Sequence, residues 1–221
     1  MADEMPSPND IKVVSAADLK PEQVGHFLDE VVDAEGRTWP TELQATRAKF
    51  ESRFRVFPQG FIAFRVNDKI EAVTTSQIVN YDPLDTSPKT WDQITDNGMI
   101  TGTHLPSGNA LYVVSVGVTA DAGGQGLGGK LVEEQKNLAK KLGLQYLYLG
   151  ARTPGYAEYI EKHGEISVDN YLAVKREDGQ TEDQEIRFYE RQGLKPARVI
   201  PDFEPDEASK NYGVVMVWQV E

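Results

Sequence analysis

Five glycines among seven residues form the stretch of this sequence best suited to chemistry. They lie in Gly123-Gly124-Gln125-Gly126-Leu127-Gly128-Gly129, and Lys130 follows them. A β-branched run precedes the glycines and an amphipathic run follows, which predicts a strand, a tight loop and a helix. Glycines at such a junction leave backbone N–H groups uncovered, and the helix dipole adds partial positive charge there. The spacing therefore predicts a binding site for a phosphate group.

Two nucleotide-binding motifs fit the glycine loop in part. Residues 124–129 match G-x-G-x-x-G, but that motif needs a carboxylate at the end of the next strand to hold a ribose, and here the strand ends in Leu149-Gly150-Ala151-Arg152. Residues 124–130 match G-x-x-x-x-G-K, but Leu131 stands where a hydroxyl should hold magnesium. A turn without any ligand stays open as an alternative, although one turn needs fewer glycines.

Composition limits the classes of protein to consider. The chain has 221 residues, 39% hydrophobic residues, a net charge of −12 and no cysteine. The length suits one domain, and the missing cysteines exclude disulfides, thiolate metal ligands and a cysteine nucleophile. The negative charge argues against nucleic acid or an anionic membrane as partner. The polar residues 1–10 are unlike a signal or transit peptide, so we expect a flexible N-terminus on a cytoplasmic protein. We also expect no metal.

Hydrophobic periodicity, glycines and prolines predict the elements that position the loop. Residues 61–79 should form a hairpin, and the strand before the loop should lie parallel to the strand after the loop's helix. The charged run 175–185 predicts a solvated surface loop, and the final strand should be exposed. Strands are predicted at 11–14, 61–66, 70–79, 111–118, 144–149, 197–200 and 213–220, and helices at 23–34, 40–53, 91–96, 126–142, 156–162, 167–176 and 186–192.

The loop and a second motif together resemble the GNAT (GCN5-related) N-acetyltransferase superfamily. Gly126 and Gly128 fill the two glycine positions of its R/Q-x-x-G-x-G/A motif, and Phe188-Tyr189-Glu190-Arg191-Gln192-Gly193-Leu194 is similar to its late F-Y-E-K-x-G-F motif. Gly123 departs from the arginine or glutamine of the first motif, and Gln125 could supply the missing side chain. The resemblance covers about two thirds of the chain.

The resemblance implies an α+β fold, the α/β three-layer sandwich of acyl-CoA N-acyltransferases. Such a fold has a mixed, mostly antiparallel twisted sheet with a parallel, splayed central strand pair and helices on both faces. It would occupy residues 11–221 as a single domain, with insertions at about 80–109 and 152–184.

The resemblance also assigns a site for acetyl-CoA. The backbone of Val116, Gly117 and Val118 would contact pantetheine, and Tyr189 would protonate the leaving thiolate as general acid. Glu182 stands where many members have an asparagine, so that contact to pantetheine is in doubt. The pyrophosphate would bind the backbone around Gly123, Gly124, Gln125, Gly126, Leu127, Gly128, Gly129 and Lys130.

The reaction implied is attack of a primary amine on the thioester of acetyl-CoA. The base is the least determined group: Glu158, His104 and His163 lie in predicted insertions or loops, and water would serve equally well. The acceptor would be a small-molecule or peptide amine. A non-catalytic acyl-CoA-binding module on the same fold is the main alternative, and a nucleotide-binding protein is a second. The final strand could pair across a two-fold axis, giving a homodimer.

Overall fold

A mixed seven-stranded sheet organises the fold, with helices on both faces. The computed structural model describes residues 10–221, apart from the side chain of Glu42. Its strands lie in the order β1-β2-β3-β4-β5-β7-β6. The fold class predicted from the sequence is confirmed. The strands are β1 (Ile11–Ser15), β2 (Ile62–Val66), β3 (Lys69–Val79), β4 (Ala110–Val118), β5 (Tyr146–Arg152), β6 (Lys195–Ile200) and β7 (Gly213–Gln219).

Seven α-helices accompany the strands within the described residues. Gly143 and Gly193 have φ angles of 67° and 81°, so each ends a helix where the sequence predicted a stop. The helices are α1 (Pro21–Thr38), α2 (Arg47–Val56), α3 (Trp91–Thr95), α4 (Leu127–Lys141), α5 (Tyr156–His163), α6 (Val168–Ala173) and α7 (Gln184–Arg191). No helix in this part of the chain is long and apolar enough to cross a membrane.

The parallel pair β4 and β5 separates along its length. Ala110 to Tyr112 pair with Tyr146 to Tyr148, whereas β4 continues to Val118 and β5 to Arg152. β1 pairs with β2, β2 with β3, β5 with β7 and β6 with β7, all in antiparallel fashion. The strand pair is therefore splayed, as the resemblance implied.

The described chain divides into two compact units. Residues up to 75 and 115–134 form unit one, and residues 76–114 and 135–221 form unit two. In unit one, α1 packs its apolar face into a buried aromatic cluster: the ring centroid of Phe61 lies 5.3 Å from that of Phe27 in α1 and 5.8 Å from that of Phe50 in α2. A second apolar cluster joins Phe64 of β2 to Leu127 and Leu131 of α4. This second cluster fixes the start of α4.

Unit two contains a close packing of a ring on two glycines. The ring of Phe203 lies over Gly150 of β5 and Gly213 of β7, because a Cβ atom at these positions would lie 2.0 Å and 2.4 Å from ring atoms. Backbone bonds hold Phe203 on both sides: its N–H donates to Asn211 O at 2.7 Å, and its carbonyl accepts from Trp91 N at 2.8 Å. The connection between β6 and β7 is thus fixed to the strands at Phe203.

Several sequence-based expectations are wrong in detail. Pro40 precedes only a short 3-10 turn, and α2 begins at Arg47 because Thr46 accepts the N–H of Lys49 as its N-cap. The run 175–185 is not uniformly solvated, since Thr181 and Asp183 are buried. The final strand β7 lies between β5 and β6, so it is not an exposed edge. The flexible segment predicted for 1–10 lies outside the described residues, apart from residue 10.

Candidate active site

The glycine loop lies in unit one between β4 and α4. A 3-10 turn, Ala120–Ala122, leads into it, and the N–H of Gly123 donates to Ala120 O at 3.1 Å. Gly124 and Gly126 have φ angles of 77° and 73°, a region that side chains with a Cβ rarely adopt. A Cβ atom at either position would meet nothing within 4 Å. Glycine is therefore needed at these two positions for the backbone conformation and not for lack of space, since the space above them is open.

The helix that follows presents its N-terminus at this open space. Leu127 begins α4, and the N–H of Lys130 donates to Gly126 O at 3.2 Å. The other N–H groups of the first turn have no acceptor within the helix, and they carry the positive end of its dipole. Because Leu127 and Leu131 are buried, this turn is held in place from below. The residues present fit a pyrophosphate group.

The start of the loop is held by a polar network in unit one. The N–H of Thr119 donates to Glu71 O at 2.9 Å, and its hydroxyl donates to the Glu71 carboxylate. Arg37 Nη1 donates to the same carboxylate at 2.6 Å. Because Arg37 neutralises its charge, the Glu71 carboxylate can lie near the start of a loop that is suited to binding an anion.

Gly117 has a packing explanation in this structure. A Cβ atom there would lie 3.1 Å from Thr38 Cγ2 and 3.2 Å from Trp39 Nε1, so the glycine lets the end of α1 approach β4. Its neighbours Val116 and Val118 are half-buried. The pantetheine contacts of these three residues stay a prediction.

A buried polar cluster in unit one was not anticipated from the sequence. Arg53 of α2 is 2% exposed, and its Nη1 donates to Thr75 Oγ1 at 3.3 Å. Thr75 and Ser115 share a hydrogen bond of 2.9 Å between their hydroxyls. Burial lowers the pKa of Arg53 to about 10, which leaves its guanidinium charged at neutral pH. The cluster joins α2, β3 and β4 through polar side chains.

Tyr189 lies on α7 in unit two, and only 8% of it is exposed. Burial raises its pKa, and the Glu185 carboxylate raises it further, while Arg152 opposes the shift. The hydroxyl is therefore protonated at neutral pH, as a proton donor must be before it acts.

The base candidates from the sequence lie in three different environments within unit two. Glu158 is exposed on α5 and accepts a hydrogen bond from Lys162, which lowers its pKa. His104 Nδ1 accepts the N–H of Ile78 at 3.1 Å, and burial lowers its pKa. The ring of His163 stacks on Tyr159, with centroids 4.5 Å apart. None of these contacts tests the predicted role of Glu158.

A polar cluster around the start of α7 was missed by sequence reasoning. The Asp183 carboxylate is fully buried and caps α7, accepting the N–H groups of Glu185 and Ile186 at 2.9 and 3.1 Å. Glu185 Oε1 accepts the N–H of Arg152 at 3.0 Å. An N-cap aspartate followed by an acidic first turn is a recognisable helix start, and that signal lies in the run 183–186.

No cluster of three or more histidine, aspartate or glutamate side chains suited to a metal ion occurs among residues 10–221, leaving aside the side chain of Glu42. The sequence-predicted residues thus fall into two sets. The loop residues and 116–118 lie in unit one, whereas Glu158 and Tyr189 lie in unit two.

Replacing Gly126 with alanine is expected to weaken acetyl-CoA binding about tenfold. An L-residue in the left-handed region costs roughly 1–2 kcal/mol, so the loop should shift toward another conformation. Titration calorimetry with acetyl-CoA measures the effect. Gly143→Ala is the matched control, because Gly143 also has a positive φ and open space around it but ends α4 instead of starting it. Equal affinities for wild type and Gly126→Ala would contradict the prediction.

Comparison with known proteins finds two curated relatives in Bacillus subtilis. The chain is 35% identical over 181 residues to the uncharacterized N-acetyltransferase YkwB, a match that covers 82% of this chain and 77% of that protein. It is 30% identical over 193 residues to the probable hydrolase YhcX, covering 86% of this chain but 36% of that protein. The chain thus spans about a third of the length of YhcX. No family model matches the chain.

Solved structures of similar fold cover nearly the whole chain. The loading GNATL domain of CurA from Lyngbya majuscula has a TM-score of 0.77 at 21% identity, covering 97% of this chain and 98% of that one. The GphF GNAT-like decarboxylase in complex with isobutyryl-CoA has a TM-score of 0.75 at 21% identity, covering 96% and 100%. At this level of identity the likeness concerns the fold.

Proposed function

Because the chain belongs to the GNAT superfamily of N-acetyltransferases, we propose that it transfers an acetyl group from acetyl-CoA to a primary amine. The observation that carries this proposal is the glycine loop. Gly124 and Gly126 hold a left-handed backbone under open space, and the N-terminus of α4 follows at once. On this proposal the pyrophosphate binds the backbone of residues 123–130, and pantetheine contacts Val116, Gly117 and Val118.

The reaction makes three demands of the protein. The amine must lose a proton, which for an alkylamine of pKa near 10 costs roughly 4 kcal/mol at pH 7. The oxygen of the thioester needs a hydrogen-bond donor as it gains negative charge. The leaving thiolate needs a proton. We assign the last demand to Tyr189, whose hydroxyl is protonated and buried, and we retain Glu158 as a candidate for the first.

The proposal also concerns the class of acceptor. We propose a small-molecule or peptide amine, since the net charge of −12 favours cationic partners over nucleic acid or an anionic membrane. No metal takes part in the proposed reaction. A cytoplasmic location and a homodimer stay predictions.

The experiment that tests this function measures binding and turnover separately. Titration calorimetry gives the affinity for acetyl-CoA. Release of free CoA thiol is then followed with spermidine, tyramine, glucosamine and an alanine-terminated tripeptide as acceptors. Isobutyryl-CoA serves as a second donor, because the GphF neighbour is described in complex with it.

Three outcomes separate the rival functions. Amine-dependent thiol release, with an acetylated product found by mass spectrometry, supports the N-acetyltransferase. Acetyl-CoA binding without turnover on any amine, together with no effect of changing Tyr189, supports a non-catalytic acyl-CoA-binding module. Tight binding of ATP or NAD without binding of CoA would show that the loop serves a nucleotide.

A further inference from the structure

Glu185 stands in the first turn of α7, with its carboxylate turned to the end of β5. Its Oε1 accepts the backbone N–H of Arg152 at 3.0 Å, and its Oε2 accepts Arg152 Nη2 at 3.3 Å. These two bonds fix the direction of the carboxylate. About a fifth of the side chain, 22%, stays exposed.

Further charged groups face Glu185 from the neighbouring elements. Asp183 lies at the N-cap of α7, and Glu204 lies in the connection between β6 and β7. Arg152 Nη1 is also 3.6 Å from Asp206 of that connection. The Arg152 guanidinium thus forms ion pairs with both Glu185 and Asp206. Burial, first, and then Asp183 and Glu204 raise the pKa of Glu185 to about 7, although Arg152 acts in the opposite direction.

Glu185 and Tyr189 share one face of α7. They are four residues apart, a spacing that places two side chains one above the other on a helix. Their interaction is felt in the pKa of Tyr189, which burial raises first and the Glu185 carboxylate raises further. Glu185, whose carboxylate can accept a proton near neutral pH, therefore lies one helical turn from Tyr189, whose hydroxyl is protonated.

We propose that Glu185 is the base that accepts the proton of the acceptor ammonium group, with Arg152 as the residue that positions its carboxylate. This inference rests on the proposed acetyltransferase function. It assigns the role for which the sequence suggested Glu158, His104 and His163. Glu158 suits the role less well, since its ion pair with Lys162 lowers its pKa.

The protons and electron pairs balance as follows. The ammonium nitrogen gives one proton to the Glu185 carboxylate, and its freed lone pair forms the C–N bond at the thioester carbonyl carbon. The C–S bond breaks, and its electron pair leaves on sulfur, which takes the proton of the Tyr189 hydroxyl. Protonated Glu185 returns its proton to the Tyr189 oxygen, and the second nitrogen proton passes to water. The net products are amide, CoA thiol and one proton.

The assignment predicts a distinctive pH profile. Wild type binds the ammonium form with ionised Glu185, so kcat/KM should rise up to about pH 7 and then level off until the amine itself deprotonates. Glu185→Gln keeps the acceptor oxygen for the N–H of Arg152 but cannot take a proton. That variant must wait for free amine, so its kcat/KM should climb with pH and show no break near 7.

The experiment uses the panel amine that wild type acetylates fastest. We expect Glu185→Gln to lower kcat/KM by about 30-fold or more at pH 7, and by much less at pH 9.5, because free amine is then abundant. Its affinity for acetyl-CoA should be unchanged. Glu177→Gln, at an exposed position of the same unit, is the matched control and should keep the wild-type profile. Glu158→Gln is measured in parallel as the competing assignment.

A stability measurement supplies a readout that needs no amine. The pKa of Glu185 is raised in the folded protein, so its protonated form stabilises the fold at low pH and this contribution is lost as the pH rises toward 7. Glutamine does not titrate. The melting temperature of Glu185→Gln minus that of wild type should therefore increase between pH 5 and pH 8, while the same difference for Glu177→Gln should stay flat.

The possible outcomes distinguish a failure of the Glu185 assignment from a failure of the proposed acetyltransferase function. If wild type acetylates an amine but Glu185→Gln keeps both the rate and the break near pH 7, the inference alone is overturned. The same holds if Glu158→Gln shows the loss instead, or if the melting difference does not change with pH. Inactivity of wild type on every amine overturns the proposed function and this inference together. Should Glu185→Gln not fold, Glu185→Asp must be slower and retain a break, and a profile without one overturns the inference.

Discussion

Replacing Tyr189 with phenylalanine is expected to lower turnover by about tenfold or more, because the thiolate would then leave without a general acid. The change removes one oxygen and keeps the ring, so the packing of α7 should persist. Binding of acetyl-CoA precedes the step in which the hydroxyl acts, and its dissociation constant should stay close to that of wild type. Steady-state thiol release and titration calorimetry measure the two quantities.

The control for this variant is Tyr81→Phe. Tyr81 is also buried, and its ring packs against Tyr146 and Tyr148 with centroids 5.1 and 4.6 Å away. It carries no proposed role, so its loss of a hydroxyl should leave turnover unchanged. Full activity in Tyr189→Phe would remove the general-acid assignment. A parallel loss in both variants would point to a general sensitivity of unit two.

Gly150→Ala is expected to lower the free energy of unfolding by about 3 kcal/mol. The new Cβ atom would lie 2.0 Å from Phe203 Cζ, well inside the contact distance of two carbons. Neither partner can yield easily, because β7 pairs with β5 at Gly150 and backbone bonds hold Phe203 on both sides. Chemical denaturation of wild type and variant measures the difference.

Two further variants show whether the ring is the cause. Adding Phe203→Leu to Gly150→Ala should restore part of the lost stability, since a smaller side chain leaves room for the methyl group. Gly25→Ala serves as the opposite case: Gly25 is exposed in α1 with nothing within 4 Å of its missing Cβ. That change should stabilise the protein by roughly 0.5–1 kcal/mol. Similar losses in Gly25→Ala and Gly150→Ala would contradict the packing explanation.

Local signals in the sequence were sufficient for most of the fold. Two strand-like runs on either side of Asn67-Asp68-Lys69 predicted the β2–β3 hairpin, and the spacing of apolar residues predicted α1 and α4. Gly143 and Gly193 marked the ends of α4 and α7, and in the structure both have a positive φ. The start of α2 was misplaced because Pro40 and Thr46 both begin a turn, and only the contacts of the folded chain decide between them.

The environment of the site could be predicted only in part. Five glycines in one loop predicted its shape, because backbone conformation is local. The burial of Asp183 and the ion pair of Glu185 with Arg152 could not be predicted from a charged run, since composition does not say which carboxylate will meet an arginine of a distant strand. Gly117 is a similar case, because Thr38, at the end of α1, and Trp39, which follows it, come from about 80 residues earlier in the chain.

The open glycine loop has a consequence for regulation by metabolite levels. Backbone N–H groups at the start of α4 would hold a part of the cosubstrate that the reaction does not alter, so on the proposed function they stabilise free CoA as well as its thioester. Such binding is uniform along the reaction and does not by itself speed the chemical step. CoA should then be a competitive product inhibitor, and the rate in the cell would follow the ratio of acetyl-CoA to CoA.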